Sequence, residues 1–377
     1  MKPVALFVTN RNSLSDNPGG QQLCTREYVA VARVAGFDVV SLTFDFDRRP
    51  ATRLRRKLAP RPYRNMLPPD LADRIASEAK SHGASAVLLN LVELTPLAEE
   101  LKRRLDSGVS LALLSHGAES VDYLHTLRIG SLLAGGRAPR IRQRLNLADQ
   151  LLSEASFRPH FDRVFTLAPF EAEIERWLGA RAVTWLPRLI PAQPLDWRPV
   201  EGRLGLVGTL DHPPTQEGLA LVLPEIEARA PAGLRLRLVG GPKALGEAYR
   251  RDYPFIEYLG YIDDAALAAE AATWTVFLHP LFCYARGAST KLATGLGWMI
   301  PVLATAAGCR GYQWREGGPM LVETAAEFAA AALALGSDAN LRNDARRAVA
   351  AAAASAPTAE EVAALFRAAL AGAESPS

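Results

Sequence analysis

The residues best suited to chemistry form a short stretch of small and cationic side chains before a predicted helix. Serine and threonine commonly begin helices, whose first turn leaves backbone N–H groups free and carries a partial positive charge. Both properties favour a phosphate group, and a nearby lysine or arginine adds a full charge. The stretch therefore predicts a diphosphate-binding site, although similar turns also open helices that bind nothing. Its residues are Arg286, Gly287, Ala288, Ser289, Thr290 and Lys291.

The elements around this stretch predict how it is positioned. An apolar run at residues 274–279 predicts a strand, residues 290–298 a helix, and residues 301–305 a second strand. In an open parallel sheet the loop after a strand lies at the edge where ligands bind, and the following helix directs its free N–H groups there. We therefore expect the cationic stretch to lie at such an edge.

The beginning of the chain predicts a Rossmann-like unit. Residues 4–9 and 38–44 have the composition of buried strands, and residues 21–35 predict an amphipathic helix between them. Gly19 and Gly20 precede that helix, where the backbone could approach a ligand or simply turn. The dinucleotide motif G-x-G-x-x-G is absent, so NAD and FAD are not predicted.

A histidine stands at the end of another predicted strand. Residues 110–115 (SLALLS) form an apolar run, and His116 follows directly. Functional residues collect at the carboxyl ends of parallel strands, which makes His116 a candidate site residue. The alternative is a histidine that only satisfies local hydrogen bonds.

A second series of strands and helices predicts a second domain. Strands are predicted at residues 203–208, 234–239 and 256–261, after a proline-rich segment at 187–199. The predicted domains are 1–190, a linker at 191–200, 201–355, and a C-terminal helix and tail at 356–377. The alanine-rich region after residue 324 predicts the C-terminal helices. Gly208, Thr209, Gly240 and Tyr261 stand at the ends of these strands.

Composition and hydrophobic pattern indicate where in the cell the protein is expected. Hydrophobic residues make up 49% of the sequence, which suffices for two cores. No apolar run approaches the roughly 20 residues that a membrane span needs. The first ten residues predict a strand and not a signal peptide. The expected location is the cytoplasm.

One basic segment predicts an anionic partner. From Arg48 to Arg64 the chain has eight cations and no acid, and the first 190 residues carry an excess of cations while the remainder carries an excess of acids. The segment is either a solvated loop or a contact with an anionic lipid surface or lipid-linked acceptor, which would make the protein peripheral at the inner face of the membrane. It has one aromatic residue, Tyr63, so no nucleic acid is predicted.

The motifs of the second half resemble the donor-site segment of GT-B glycosyltransferases of the family 4 type. That family carries G-x-S-T-K-L, then A-x-G-x-P-V-x-A-T, then G-x-R-G, and the matching segments here are 287–292, 295–305 and 308–311. The resemblance also implies that Gly208, Thr209, Gly240 and Tyr261 bind the donor. It extends more weakly to His116, which in the family contacts the donor sugar. It implies an α/β protein of GT-B fold, with two Rossmann-like domains facing across a cleft and C-terminal helices.

The resemblance also implies an activity. The expected reaction moves a sugar from a UDP- or GDP-sugar to a hydroxyl of a glycan, lipid-linked or protein acceptor, in bacterial-type polysaccharide or glycoconjugate assembly. The family mechanism implies retention of configuration. No metal is expected, because no Asp-x-Asp-like pair stands at a strand end, and no cofactor is expected beyond the donor.

Two family residues are missing. The family carries E-x7-E across the donor loop, and here Arg286 and Thr294 stand at those positions. Thr294 can bind a ribose hydroxyl only as a neutral partner. The loss leaves retention open and keeps two alternatives, a catalytically degenerate GT-B partner subunit and a nucleotide-sugar epimerase.

Overall fold

Two parallel sheets organise the chain. The computed structural model describes residues 2–15, 19–59, 63, 66–133, 136, 138–284 and 286–372, with the backbone alone at 131–133. By internal contacts the chain divides into two compact units, the first formed by residues 1–127, 137–187 and 357–377, the second by 128–136 and 188–356. The predicted fold, two Rossmann-like domains with C-terminal helices, is confirmed.

The first sheet has six parallel strands in the order β2-β1-β3-β4-β5-β6. Its central strands are buried on both faces, as their apolar runs predict. The strands are β1 Val4–Asn10, β2 Asp38–Phe44, β3 Ala84–Asn90, β4 Ser110–Leu114, β5 Arg163–Thr166 and β6 Val183–Trp185. The helices are α1 Gly20–Val34, α2 Pro50–Arg56, α3 Leu71–Ser81, α4 Ala98–Arg104, α5 Glu119–Leu133, α6 Ile141–Phe157 and α7 Pro169–Trp177.

The second sheet also has six parallel strands, in the order β12-β11-β10-β7-β8-β9. Its strands are β7 Arg203–Thr209, β8 Arg235–Gly241, β9 Ile256–Gly260, β10 Val276–His279, β11 Val302–Ala304 and β12 Met320–Leu321. Its helices are α8 Pro213–Glu227, α9 Lys243–Asp252, α10 Asp264–Ala271, α11 Thr290–Gly297, α12 Ala325–Ser337 and α13 Ala339–Ser355.

The last helix, α14 (Ala359–Leu370), packs on the first unit. Thr358 and Glu361 form a capping box that begins it. Phe366 stacks on Phe165 with ring centroids 4.6 Å apart, and Arg367 Nε donates to the carbonyl of Ala35 over 2.7 Å. The C-terminal helix therefore completes the core of the N-terminal domain.

A buried ionic network lies beside β4. Arg158 and Glu175 form a salt bridge with both side chains almost fully buried, and Glu175 also accepts from Ser115 Oγ over 2.8 Å. Glu154 accepts from the backbone N–H and hydroxyl of Ser120, and burial raises the pKa of this carboxyl. Ser115 and Ser120, which follow β4, are therefore fixed by hydrogen bonds to two buried carboxyl groups of this network.

Candidate functional site

The cationic stretch lies where two neighbouring strands of the second sheet end. Strands β7 and β10 pair in parallel, so the loops after Thr209 and His279 leave the same edge of the sheet. Residues 280–289 connect β10 to α11, which begins at Thr290 as predicted. The open α/β sheet therefore positions this helix start as a ligand-binding edge would require.

The first turn of α11 offers unpaired donors. Ser289 is the N-cap residue with extended backbone angles, and its side chain makes no capping hydrogen bond. Within the described residues, the backbone N–H groups of Thr290 and Lys291 meet no acceptor. Such groups carry the partial positive charge of the helix and need an acceptor from outside the helix.

Lys291 is a cation for which the described part of the chain provides no counter-charge. Its side chain is half-buried, and no carboxylate or other hydrogen-bond partner contacts it among the residues described. Desolvation lowers the pKa of its ammonium group to about 8. The segment between Glu270 and Glu316 contains no acidic residue. Lys291 therefore remains available for an anion.

Arg310 and Tyr312 hold the loop in place. The Arg310 side chain is 8% exposed, and its guanidinium donates to the carbonyls of Gly287 over 2.9 Å and Ala307 over 2.8 Å. Tyr312 donates its hydroxyl to the carbonyl of Ser289 over 2.8 Å. Gly287 itself has a φ of 67°, in the left-handed region that favours glycine. These contacts fix the backbone that leads into α11.

Two histidines report a positive potential at the same edge. Desolvation, followed by the charges of Lys291 and Arg310, lowers the pKa of buried His279 to about 3. Desolvation and the same two charges also lower the pKa of His212, which precedes α8. Both imidazoles are consequently neutral at physiological pH. The site is therefore cationic, and an anion that binds there would offset the positive charges of Lys291 and Arg310.

The other predicted donor residues lie at strand ends in the same sheet. Gly208 and Thr209 end β7, and Tyr261, 80% exposed, follows β9. Gly240 in β8 has a φ of 124°, and a Cβ there would collide with the carbonyl of Gly208. Packing between adjacent strands therefore accounts for this glycine without a ligand.

The residues at the two missing glutamate positions differ in setting. Arg286 is half-buried in the loop, and its carbonyl accepts from Arg310 over 3.4 Å. Thr294 is exposed on α11 and donates its hydroxyl to the carbonyl of Thr290 over 3.1 Å. A ribose hydroxyl could therefore donate to the Thr294 oxygen while that internal bond stays in place.

In the first unit, Gly19 and Gly20 are exposed at the start of α1, and residues 16–18 before them lie outside the described part of the chain. His116 follows β4 and is half-buried, with its Nε2 2.9 Å from Oδ1 of Asn90. The structure thus places His116 at a strand end, as predicted.

Sequence reasoning missed Arg310, His212 and His279. Arg310 lies inside the matched segment 308–311 and could have been selected from it. The two histidines carry no motif, and their relevance depends on charges that approach only after folding.

Among the described residues, no three His, Cys, Asp or Glu side chains cluster as metal ligands would. In the same part of the chain, no helix has both the length and the apolar composition that crossing a bilayer requires.

Solved structures with similar architecture share this fold. Sucrose-phosphate synthase from Thermosynechococcus elongatus superposes with a TM-score of 0.64 at 18% identity, covering 99% of this chain and 100% of that one. The lipopolysaccharide outer core galactosyltransferase WaaB superposes with a TM-score of 0.62 at 11% identity, covering 98% of this chain and 99% of that one. Anabaena HepE, solved with UDP-glucose, gives 0.59 at 15% identity and covers 98% of both chains.

No protein-family model matches the sequence, and no curated protein matches it significantly. The structural likeness nevertheless spans both units. The chain has the two-domain GT-B fold.

Proposed function

We propose that the chain is a glycosyltransferase whose donor, a UDP- or GDP-sugar, binds with its diphosphate at the start of α11. The observation that carries the proposal is Lys291, a half-buried ammonium for which the described residues provide no counter-charge, together with two backbone N–H groups that meet no acceptor among those residues. A phosphate supplies what each of these groups lacks, negative charge and hydrogen-bond acceptors.

The same groups suit the chemistry of transfer. When the bond between the anomeric carbon and the phosphate oxygen breaks, negative charge develops on the diphosphate. Donors already fixed around that charge lower the barrier without reorganising. The acceptor oxygen bonds to the anomeric carbon as the phosphate leaves, and the proton of its hydroxyl passes to the departing phosphate oxygen. We assign His116 a contact with the donor sugar and Thr294 a contact with the ribose, and we propose retention of configuration without a metal.

The structural neighbours support the substrate class. HepE was solved with UDP-glucose, and a further neighbour, pneumococcal GtfA, with UDP and GlcNAc. We accordingly propose glycan, lipid-linked or protein acceptors, and a role in bacterial-type polysaccharide or glycoconjugate assembly.

The test is a thermal-shift panel of nucleoside diphosphates and nucleotide sugars, followed by a transfer assay with any donor that binds. A rise in melting temperature with one diphosphate, and release of that diphosphate from its sugar conjugate in the presence of acceptor, is the expected result. No shift with any member of the panel contradicts the proposal.

A second candidate is a non-catalytic GT-B partner subunit. Arg286 and Thr294, which stand where the family has its two glutamates, favour it. This candidate predicts diphosphate binding without turnover for every acceptor class. An epimerase would instead convert the donor sugar without any acceptor, so the product analysis of one assay separates all three activities.

We also propose that the N-terminal domain contacts an anionic lipid surface in the cytoplasm. In the basic segment, α2 carries arginines in its last turn, and Leu54 and Leu58 are 67% and 89% exposed. Residues 60–62 and 64–65, in and just beyond this segment, lie outside the described part of the chain. Exposed leucines among cations suit a membrane interface better than they suit water.

Helix α6 supports the same proposal. Ile141, Leu145 and Leu152 recur on one face and are 68%, 58% and 69% exposed. Arg140 is the N-cap residue of this helix, Arg142 lies in its first turn, and that turn has no acid. Cations at a helix N-terminus destabilise the helix unless an anion lies nearby.

A further inference from the structure

The turn after β11, residues 305–312, binds carbonyl oxygens of the cationic stretch. Arg310 donates through Nε to the carbonyl of Gly287 over 2.9 Å and through Nη2 to that of Arg286 over 3.4 Å. The hydroxyl of Tyr312 donates to the carbonyl of Ser289 over 2.8 Å. The stretch therefore directs three of its carbonyl groups toward side chains of this one turn.

These bonds also determine where N–H groups of the stretch point. The N–H of Ala288 shares a trans peptide with the carbonyl of Gly287, and the N–H of Thr290 shares one with the carbonyl of Ser289. In a trans peptide the C=O and N–H bonds point in opposite directions. Both N–H groups consequently point away from the turn after β11, and neither meets an acceptor among the residues that the structure describes.

The side chain at position 310 is suited to this task by its shape as well as its charge. Arg310 is 8% exposed, and its Nη1 also donates to the carbonyl of Ala307 over 2.8 Å, so the guanidinium joins the turn to the cationic stretch. A guanidinium presents its donors in a rigid planar fork, whereas a lysine ammonium is a point charge on a flexible stem. Lysine at this position would keep the charge but could not hold carbonyl groups of both segments in the same geometry.

We propose that Arg310 is a positioning residue for the diphosphate, which turns the carbonyl groups of the cationic stretch away from the ligand and thereby directs the N–H groups of Ala288 and Thr290 toward phosphate oxygens. The inference rests on the proposed function and deepens it. Carbonyl oxygens that faced a phosphate would repel it, whereas N–H groups that are already oriented stabilise it without reorganisation. Arg310 acts on the ligand through the backbone that it holds.

The first test separates the geometry of Arg310 from its charge. Arg310→Lys keeps the charge and loses the fork, so calorimetry should show affinity for UDP or GDP falling about tenfold, the scale of one lost hydrogen bond to a charged group. An affinity equal to that of the parent protein overturns the inference and leaves the proposed function intact.

Arg342→Lys is the matched control. Arg342 lies in the same unit and is also 8% exposed, and its guanidinium donates to the carbonyls of Leu335 and Gly336. The control loses contacts of the same kind, but we expect it to bind the diphosphate as the parent does. An equal loss of affinity in both variants would show a general effect of removing a buried guanidinium and would overturn the inference.

The second test uses the parent protein and does not depend on how a variant folds. A hydrogen bond to a phosphate oxygen moves an amide proton downfield, so ¹H–¹⁵N spectra should show downfield shifts for Ala288 and Thr290 when the diphosphate binds. Unchanged amide protons in a protein that binds the diphosphate overturn the inference. A parent protein that binds neither UDP nor GDP overturns the proposed function instead.

Discussion

The turns after β4 and after β10 occupy equivalent places in their two sheets and handle charge in opposite ways. Below the first turn, the charged groups Arg158, Glu175 and Glu154 face one another in the core. At the second, Lys291 meets no carboxylate of the residues that the structure describes, and the sequence has no acid between Glu270 and Glu316. The first arrangement fixes Ser115 and Ser120 in the turn after β4, whereas the second leaves a positive charge that a ligand can neutralise.

The largest expected effect concerns the paired charges. Arg158→Met leaves Glu175 buried without its counter-charge, which typically costs about 3–5 kcal/mol in the free energy of unfolding. Urea unfolding measures the loss. Arg176→Met removes an exposed pair with Glu173 and should change the free energy by at most about 1 kcal/mol. Equal, small losses for the two variants would remove the distinction between the turns.

The second effect concerns the unpaired charge and has the opposite sign for stability. Lys291→Met keeps the aliphatic stem and removes a desolvated cation, so the protein should become more stable while nucleoside diphosphate affinity falls about tenfold or more. Calorimetry and thermal unfolding measure both. Exposed Lys80→Met serves as the control and should change neither. A variant that binds as tightly as the parent would show that the phosphate site has been misplaced.

The third effect is a pH dependence. Because the pKa of Lys291 is lowered from 10.5 to about 8, the folded protein loses this proton above pH 8 while the unfolded chain keeps it. The desolvated ammonium destabilises the folded state, and this penalty is lost as the group deprotonates. The free energy of unfolding should therefore rise between pH 8 and 10.5. The diphosphate favours the protonated form, so affinity should fall above pH 8, with proton uptake on binding.

Titration calorimetry in buffers of different ionisation enthalpy detects that uptake. Lys291→Arg stays charged, and its affinity should be less dependent on pH over the same range. Identical pH dependence in the two proteins would assign the titration to another group.

The smallest effect concerns the lipid surface. Leu54→Ser with Leu58→Ser should weaken sedimentation with anionic liposomes several-fold, and salt should weaken it further because exposed charges are screened beyond roughly 8–10 Å. Exposed Leu221→Ser, on α8 of the other domain, is the control. Binding that ignores both lipid charge and the leucines would exclude this surface.

Local sequence patterns were sufficient to predict much of the fold. The apolar runs of β4 and β10, the small residues before α11 and the alanine-rich tail each determine their element over a few residues. The site was predicted as far as Lys291 and its loop.

The remainder depends on contacts between distant residues. Asn90 meets Thr9 across 81 positions of sequence, and Arg310 meets Gly287 across 23. Arg158 and Glu175 are ordinary charged residues until folding buries them together. No local pattern distinguishes such residues from solvated ones, and only the structure shows which charges are matched.

The central claim is that an unmatched cationic helix start binds the donor diphosphate. A crystal structure of the protein with UDP or GDP, whichever shifts its melting temperature, tests it most directly. The account predicts phosphate oxygens within hydrogen-bond distance of the N–H groups of Thr290 and Lys291 and of Lys291 Nζ. A diphosphate bound elsewhere, with the start of α11 unoccupied, would contradict it.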